Sequence, residues 1–161
     1  QMANFAAIIA NRGWYYTPHF VRSIGNDGPL QAFKTKHKVS VSASNFDPIV
    51  EGMRRVCNEP GETGRRAVVE GITVCGKTGT AQNPHGADHS IFICFAPMDK
   101  PKIAIAVFIE NAGFGGVWAA PVASLMIEKY INRTIKDKAK EKMILDANLL
   151  NVKLIPVKKR R

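Results

Sequence analysis

The sequence is poor in cysteine and has no long apolar run. Its three cysteines, Cys57, Cys75 and Cys94, form no C-x-x-C pair, and an odd number argues against a disulfide framework. No stretch approaches the roughly 18 apolar residues that span a bilayer, and the N-terminus lacks a signal-peptide pattern. These absences exclude a zinc-finger-type protein and a small disulfide-stapled domain, and we expect no metal and no cofactor.

Acidic residues are scarce near the C-terminus. Residues 136–161 contain nine Lys and Arg against three acids, a net charge of +6 out of +10 for the 161 residues. Neither zinc-finger spacing nor an RNP-type aromatic motif accompanies this charge, so we expect no nucleic-acid partner. We predict one folded unit over residues 1–135 and a solvated basic tail over residues 136–161, with anionic lipid as a possible neighbour.

The apolar periodicity predicts an α+β fold, an antiparallel sheet covered by helices. Gln1 leads directly into a helical run without a cap, so we expect the chain to begin within or just before a helix that ends at Gly13. Asp47 and Pro48 are typical of an N-cap and a first helical residue. The predicted strands cover residues 15–24, 72–81, 90–96 and 103–110, and the predicted helices cover residues 1–12, 48–59 and 121–135. The last of these helices has a predicted apolar stripe of Val122, Leu125, Met126 and Tyr130.

One segment satisfies a nucleotide-binding pattern. Residues 71–78 match G-x-x-x-x-G-K-[ST], the P-loop signature. A P-loop requires a helix to begin at the lysine, because the helix N-terminus binds the phosphates. Gly79 and Pro84 oppose such a helix, and the β-branched residues 72–74 favour an extended backbone. We therefore predict a strand here, and the P-loop alternative depends on residues 77–86 being helical.

Within that strand, Lys77, Thr78 and Gly79 form a K-T-G triad, followed by Thr80. Lys77 supplies fixed positive charge, and the Thr78 and Thr80 hydroxyls are donors suited to a substrate carboxylate. Gly79 suits a place where another backbone approaches closely, such as a peptide added as an extra strand. A backbone N–H just past the glycine is a candidate oxyanion-hole donor.

Residues 1–132 resemble the C-terminal part of the transpeptidase domain of class B penicillin-binding proteins. The similar segments are Gln1-Met2-Ala3-Asn4, Asn11-Arg12-Gly13, residues 77–82 (K-T-G-T-A-Q), 95–97, 101–107, 110–113, 115–116 and 119–121, in the family's order. The Glu-Asn-Ala-Gly sequence at residues 110–113 favours the elongation type over the division type. The resemblance implies the penicillin-binding transpeptidase or β-lactamase-like fold.

The resemblance also implies a serine acyl-enzyme mechanism that cross-links peptidoglycan stem peptides ending in D-Ala-D-Ala. It implies catalytic roles for Lys77, Thr78, Gly79 and Thr80, and substrate contacts from Lys77, Thr78, Thr80 and Gln82. The family's S-x-x-K and S-x-N elements do not occur anywhere in the 161 residues. In the family both elements precede this region, so we predict that the chain alone is inactive and needs the missing N-terminal half of its domain.

Further implications concern location and partners. The resemblance implies a bacterial inner-membrane protein with a periplasmic catalytic domain, β-lactams as inhibitors and the cell-wall elongation machinery as a partner. A D,D-carboxypeptidase, a β-lactam hydrolase and a non-catalytic interaction module remain alternatives.

His85, Asp88 and His89 have a spacing compatible with a metal, but a hairpin tip is the favoured interpretation. Whether Cys75 and Cys94 form a cross-strand disulfide is left open.

Overall fold

The computed structural model describes residues 1–150, and it has the predicted α+β architecture. Its helices are α1 (Met2–Ala10), α2 (Gln31–Lys34), α3 (Asp47–Asn58), α4 (Ala119–Asn132) and α5 (Lys138–Leu145). Its strands are β1 (Trp14–Tyr16), β2 (Lys36–Lys38), β3 (Cys75–Ala81), β4 (His89–Ala96) and β5 (Ile103–Ile109). Short 3-10 turns cover Ala43–Phe46 and Arg65–Ala67.

The central sheet is the predicted antiparallel meander. Its strand order is β3-β4-β5, with Thr78 opposite Phe92 and Phe92 opposite Val107. The middle strand is buried on both faces, which explains why residues 91–96 are almost all apolar. The small sheet of β1 and β2 is separate. Within residues 1–150, β3 pairs only with β4, so its outer edge carries no neighbouring strand.

Helices cover both faces of the sheet. On one face, α4 packs through Ala120, Ala123 and Ile127 against Phe92 and Val107. On the other face, α1 and α3 meet the sheet around Phe95, and the larger members of that cluster include Ile9, Val50 and Met53. The layers agree with the predicted helix-covered sheet.

The apolar stripe predicted for α4 is half right, because Leu125 is buried and Val122 packs against the core. Met126 and Tyr130 were expected in the core, but they are 48% and 46% exposed, whereas the small residues Ala120 and Ala123 are fully buried. Small side chains allow the helix axis to lie closer to the sheet than a stripe of large residues would permit. The helix also ends earlier than predicted, because Arg133 adopts the left-handed conformation at its C-cap.

Two smaller predictions near the N-terminal half also need correction. The strand expected over residues 15–24 stops at Tyr16, just before Pro18, which has no N–H to donate to a sheet. Asp47 is not an N-cap, because a 3-10 turn precedes it and makes it the first residue of α3. Its carboxylate accepts a hydrogen bond from the Arg12 guanidinium at 3.3 Å instead.

The first part of the predicted tail contains a surface helix with no buried residue. Residues 138–145 form α5, whose N-cap Asp137 accepts a hydrogen bond from the Lys140 backbone N–H at 2.9 Å. The Lys140 ammonium donates to the Val68 carbonyl at 3.2 Å, and buried Glu128 of α4 accepts from the Lys136 backbone N–H at 3.0 Å. These contacts hold α5 against the folded unit. The remaining tail residues, 151–161, lie outside the described residues.

All three cysteines are buried and free. The β3–β4 register places Cys75 opposite Phe95 and Gly76 opposite Cys94, so the two cysteines are one residue out of register. Successive residues of a strand point to opposite faces, and the two side chains therefore belong to different halves of the core. A cross-strand disulfide between them is excluded by this geometry.

Candidate active site

The K-T-G segment lies in an extended strand. Residues 77–81 belong to β3, and residues 82–86 form no helix. The helix N-terminus that a P-loop needs is therefore absent at this position, and the nucleotide-binding alternative is wrong. The β-branched residues that precede the triad favour an extended backbone, as the sequence predicted.

The alternation of β3 divides the predicted site residues between its two faces. Thr78 and Thr80 point to the face covered by α4, where both line an open cleft of about 530 Å³. Lys77 is exposed on the opposite face, where its ammonium donates to the Thr78 carbonyl at 2.8 Å. Gln82 is exposed one residue beyond the strand and does not line the cleft. The cleft thus brings together two of the five predicted residues.

The opposite wall of the cleft comes from the segment that follows α3. Its lining residues there are Glu62, Thr63, Arg65 and Arg66. The Thr63 hydroxyl lies 2.9 Å from the Thr78 hydroxyl, so the two walls are joined by a hydrogen bond. These residues were not predicted from the sequence, although Gly64 beside Thr63 is a turn signal in the loop that leads towards β3.

The floor of the cleft is residues 113–118, here called the covering loop. Phe114, Gly115, Gly116 and Val117 of this loop line the cleft. A Cβ atom on Gly115 would lie 2.1 Å from the Ile91 carbonyl oxygen and 2.5 Å from that of Gly79. The covering loop therefore lies close to the Gly79 backbone because Gly115 has no Cβ, whereas a Cβ on Gly79 itself would lie 3.3 Å from that of Ile91.

A buried serine fixes the covering loop to the sheet. Ser90 is fully buried, and its hydroxyl donates to the Phe114 carbonyl at 3.1 Å and accepts from the Ala119 backbone N–H at 3.1 Å. The Arg66 guanidinium adds a contact from the other wall by donating to the Val117 carbonyl at 3.3 Å. The cleft is consequently built on β3, β4 and the start of α4 rather than on loops alone.

Its lining is suited to an anion. The cleft lining has two guanidiniums and three hydroxyls but only one carboxylate, that of Glu62. The guanidiniums belong to Arg65 and Arg66, and the hydroxyls to Thr63, Thr78 and Thr80. Within residues 1–150, neither arginine forms an ion pair. Guanidinium and hydroxyl donors bind carboxylates well, so the cleft can bind and orient a carboxylate-bearing ligand.

The described residues supply no nucleophile to the cleft. Its lining contains neither Ser, Cys nor His. Cys57 and Cys75 are buried, and burial raises the pKa of each thiol to about 12, so neither forms a reactive thiolate at neutral pH. What this part of the chain provides is binding and orientation.

The metal-compatible spacing of His85, Asp88 and His89 belongs to the β3–β4 turn, as predicted. The Asp88 carboxylate accepts from the Asn83 backbone N–H at 3.2 Å, and a His89 ring nitrogen accepts from the Asn111 backbone N–H at 3.1 Å. These bonds close the turn on the end of β5. Among residues 1–150, no group of three or more His, Cys, Asp or Glu is placed to hold a metal ion.

Comparison with known proteins agrees with this geometry. The penicillin binding protein transpeptidase domain family matches residues 1–128. The chain is 32% identical over 157 positions to the peptidoglycan D,D-transpeptidase MrdA of Haemophilus influenzae, covering 84% of this chain and 24% of that protein. It therefore spans about a quarter of the length of this curated relative.

Solved structures give the same result. Pseudomonas aeruginosa PBP2 in complex with WCK 5153 superposes with a TM-score of 0.69 at 30% identity, covering 80% of this chain and 28% of that one. PBP2 of Helicobacter pylori, solved in complex with MreC, superposes with a TM-score of 0.62 at 27% identity, covering 79% of this chain and 23% of that one. The chain therefore belongs to the penicillin-binding protein transpeptidase domain family and is of the PBP2 type.

Proposed function

We propose that this chain is the part of a serine-type peptidoglycan D,D-transpeptidase of bacterial cell-wall elongation that contains the K-T-G strand. The observation that carries the proposal is the cleft, whose lining combines Thr78 and Thr80 of the K-T-G strand with Arg65 and Arg66. A donor set of this kind fits the C-terminal carboxylate of a D-Ala-D-Ala stem peptide. The name of the Haemophilus influenzae relative favours transpeptidation over the carboxypeptidase and β-lactam hydrolase alternatives.

The proposed reaction needs a serine from outside these residues. Its Oγ bonds to the carbonyl carbon of the penultimate D-Ala, the peptide bond breaks, and the terminal D-Ala leaves as an amine after gaining a proton. An amine from a neighbouring stem peptide then attacks the ester, displaces the serine and completes the cross-link. β-Lactams acylate the same serine, because their ring carbonyl takes the place of the peptide carbonyl.

The residues of β3 then have separate roles. Thr78 and Thr80 hold the substrate carboxylate, and the Thr80 backbone N–H at the strand's outer edge is the proposed oxyanion-hole donor. Lys77 lies on the other face of β3, where it supplies positive charge to the nucleophile's side of the site. Gly79 leaves room for a peptide substrate that pairs with β3, and Gln82, beyond the strand, contacts the more distant part of the stem peptide.

The setting of the full-length protein is part of the proposal. Within residues 1–150, no helix is both long and apolar enough to cross a bilayer. We assign the membrane anchor and the catalytic serine to the part of the protein outside this chain, with the domain in the periplasm. The Helicobacter pylori relative was solved as a complex with MreC, which supports an elongation-machinery partner.

Intact-mass spectrometry after exposure to benzylpenicillin tests the proposal. The full-length protein that carries this segment should gain one covalent penicillin, and Lys77→Ala should slow or abolish the gain. The matched control is Lys100→Ala, since Lys100 is also exposed but lies in the turn between β4 and β5. The 161-residue chain alone should gain none. No adduct on a folded full-length protein, or an adduct on the isolated chain, contradicts the proposed assignment.

A further inference from the structure

The hydrogen bond between Thr63 and Thr78 connects the two walls of the cleft. Their hydroxyl oxygens are 2.9 Å apart, and either one can be the donor. We propose that Thr63 is a positioning residue, which donates its proton to the Thr78 oxygen so that the Thr78 proton is directed at the substrate carboxylate. The inference rests on the proposed function, because only there does Thr78 bind that carboxylate.

The backbone around Thr63 is held on two sides. The next residue, Gly64, donates its N–H to the Val56 carbonyl at 3.0 Å, and a Cβ there would lie 3.3 Å from the Cys57 sulfur. On the other side, a Cβ on Gly116 would lie 2.1 Å from the Thr63 carbonyl oxygen. The end of α3 and the covering loop therefore hold the backbone at Thr63 in place, and its hydroxyl lies within hydrogen-bond distance of Thr78 on β3.

The chemistry of two adjoining hydroxyls determines the direction of the bond when a ligand is present. Each hydroxyl has one proton to donate, whereas a carboxylate only accepts. If Thr78 donates to Thr63, no Thr78 proton remains for the ligand. A bound carboxylate therefore requires the order Thr63 to Thr78 to carboxylate, and successive hydrogen bonds of this kind strengthen one another.

Removal of the Thr63 hydroxyl should weaken this chain of donors without changing the shape of the wall. Valine has the same branched shape as threonine and lacks the hydroxyl, so Thr63→Val should slow acylation by a carboxylate-bearing β-lactam by about 3- to 10-fold, the worth of one neutral hydrogen bond. Thr63→Ser keeps the hydroxyl and should restore the rate to within about twofold of the wild type.

The deciding comparison uses benzylpenicillin and its methyl ester on the full-length protein. The neutral ester is a weaker acceptor of the Thr78 proton than the carboxylate, so Thr63→Val should slow acylation by the free acid more than acylation by the ester. Thr73→Val is the matched control, because Thr73 is exposed, precedes β3 and is not part of the cleft lining. It should leave both rates unchanged.

Each outcome supports or overturns a defined statement. Equal slowing with the acid and the ester would mean that Thr63 acts only through packing, and an unchanged rate with the acid would remove any role; either result overturns the inference. Wild-type protein that forms no adduct would overturn the proposed function itself. Thermal unfolding of each variant identifies a folding defect, and if Thr63→Val does not fold, Thr63→Ala is compared with Thr63→Ser in the same two assays.

Discussion

Replacing Gly115 with alanine tests how closely the covering loop lies on the K-T-G strand. A Cβ at this position would be 2.1 Å from the Ile91 carbonyl oxygen and 2.5 Å from the Gly79 carbonyl oxygen. Both neighbours are backbone atoms of paired strands, so neither can turn away as a flexible side chain would. The loop itself must therefore move.

The size of the movement follows from the contact distances. Real Cβ atoms essentially never come within 3.0 Å of a non-bonded heavy atom. To lengthen the 2.1 Å contact to 3.0 Å, the loop must move away from β4 by about 0.9 Å. The movement separates Gly116 from Thr63 and breaks the hydrogen bond from Arg66 to the Val117 carbonyl. Thr63 and Arg66 both line the cleft. A misplacement of about 1 Å costs on the order of 100-fold in rate. Overpacking of this kind also destabilises by about 1–3 kcal/mol.

The measurement is the second-order rate of acylation of the full-length protein by a fluorescent penicillin, together with the melting temperature. Gly52→Ala is the matched control, because no atom lies within 4 Å of a Cβ there and Gly52 is inside α3. Alanine should stabilise that helix by up to about 1 kcal/mol and leave the acylation rate unchanged. A Gly115→Ala protein that acylates within threefold of the wild type would refute the close approach of the loop.

Three further predictions concern the supports of the site. Ser90→Ala leaves the Ala119 N–H buried without its partner, so it should cost about 1–3 kcal/mol in urea unfolding and slow acylation. Cys57 and Cys75 should not react with a thiol reagent at pH 8 in the folded protein, because burial raises the pKa of both thiols from 9.0 to about 12. The stability that these neutral thiols contribute should be lost as the pH rises from 9.0 to about 12. Asp137→Ala should cost about 0.5–1 kcal/mol at pH 7; since the hydrogen bond from the Lys140 N–H lowers the Asp137 pKa from 3.8, the difference should vanish as the pH falls below that lowered value.

The strands of the central sheet were predictable because their signals are local. Apolar runs separated by turn residues predicted the meander of β3, β4 and β5, with ends correct to within about three residues. The rejection of the P-loop used only the conformational preferences of Gly79, Pro84 and the β-branched residues before the triad. These preferences act within a few residues, so they are visible in one sequence.

Features that depend on how elements approach one another were not predictable in this way. The buried face of α4 is set by Ala120 and Ala123, because small residues permit close packing on the sheet, whereas periodicity alone pointed to Met126 and Tyr130. Whether Cys75 and Cys94 could form a disulfide depended on a single residue of strand register. A shift of one residue moves a side chain to the other face of its strand.

The cleft illustrates the difference most clearly, because one of its strands was predicted and its other walls were not. Gly79 in a strand predicted that another backbone comes close, but its own missing Cβ faces the Ile91 side chain at 3.3 Å and does not identify that backbone. The backbone that lies next to Gly79 is that of Gly115, and the next residue of the covering loop, Gly116, lies against the Thr63 carbonyl. Each glycine thus marks one contact in a series that runs from β3 through the loop to the far wall. The K-T-G strand alone therefore could not reveal the far wall, because Thr63 joins the site only through contacts that the loop makes in the folded chain.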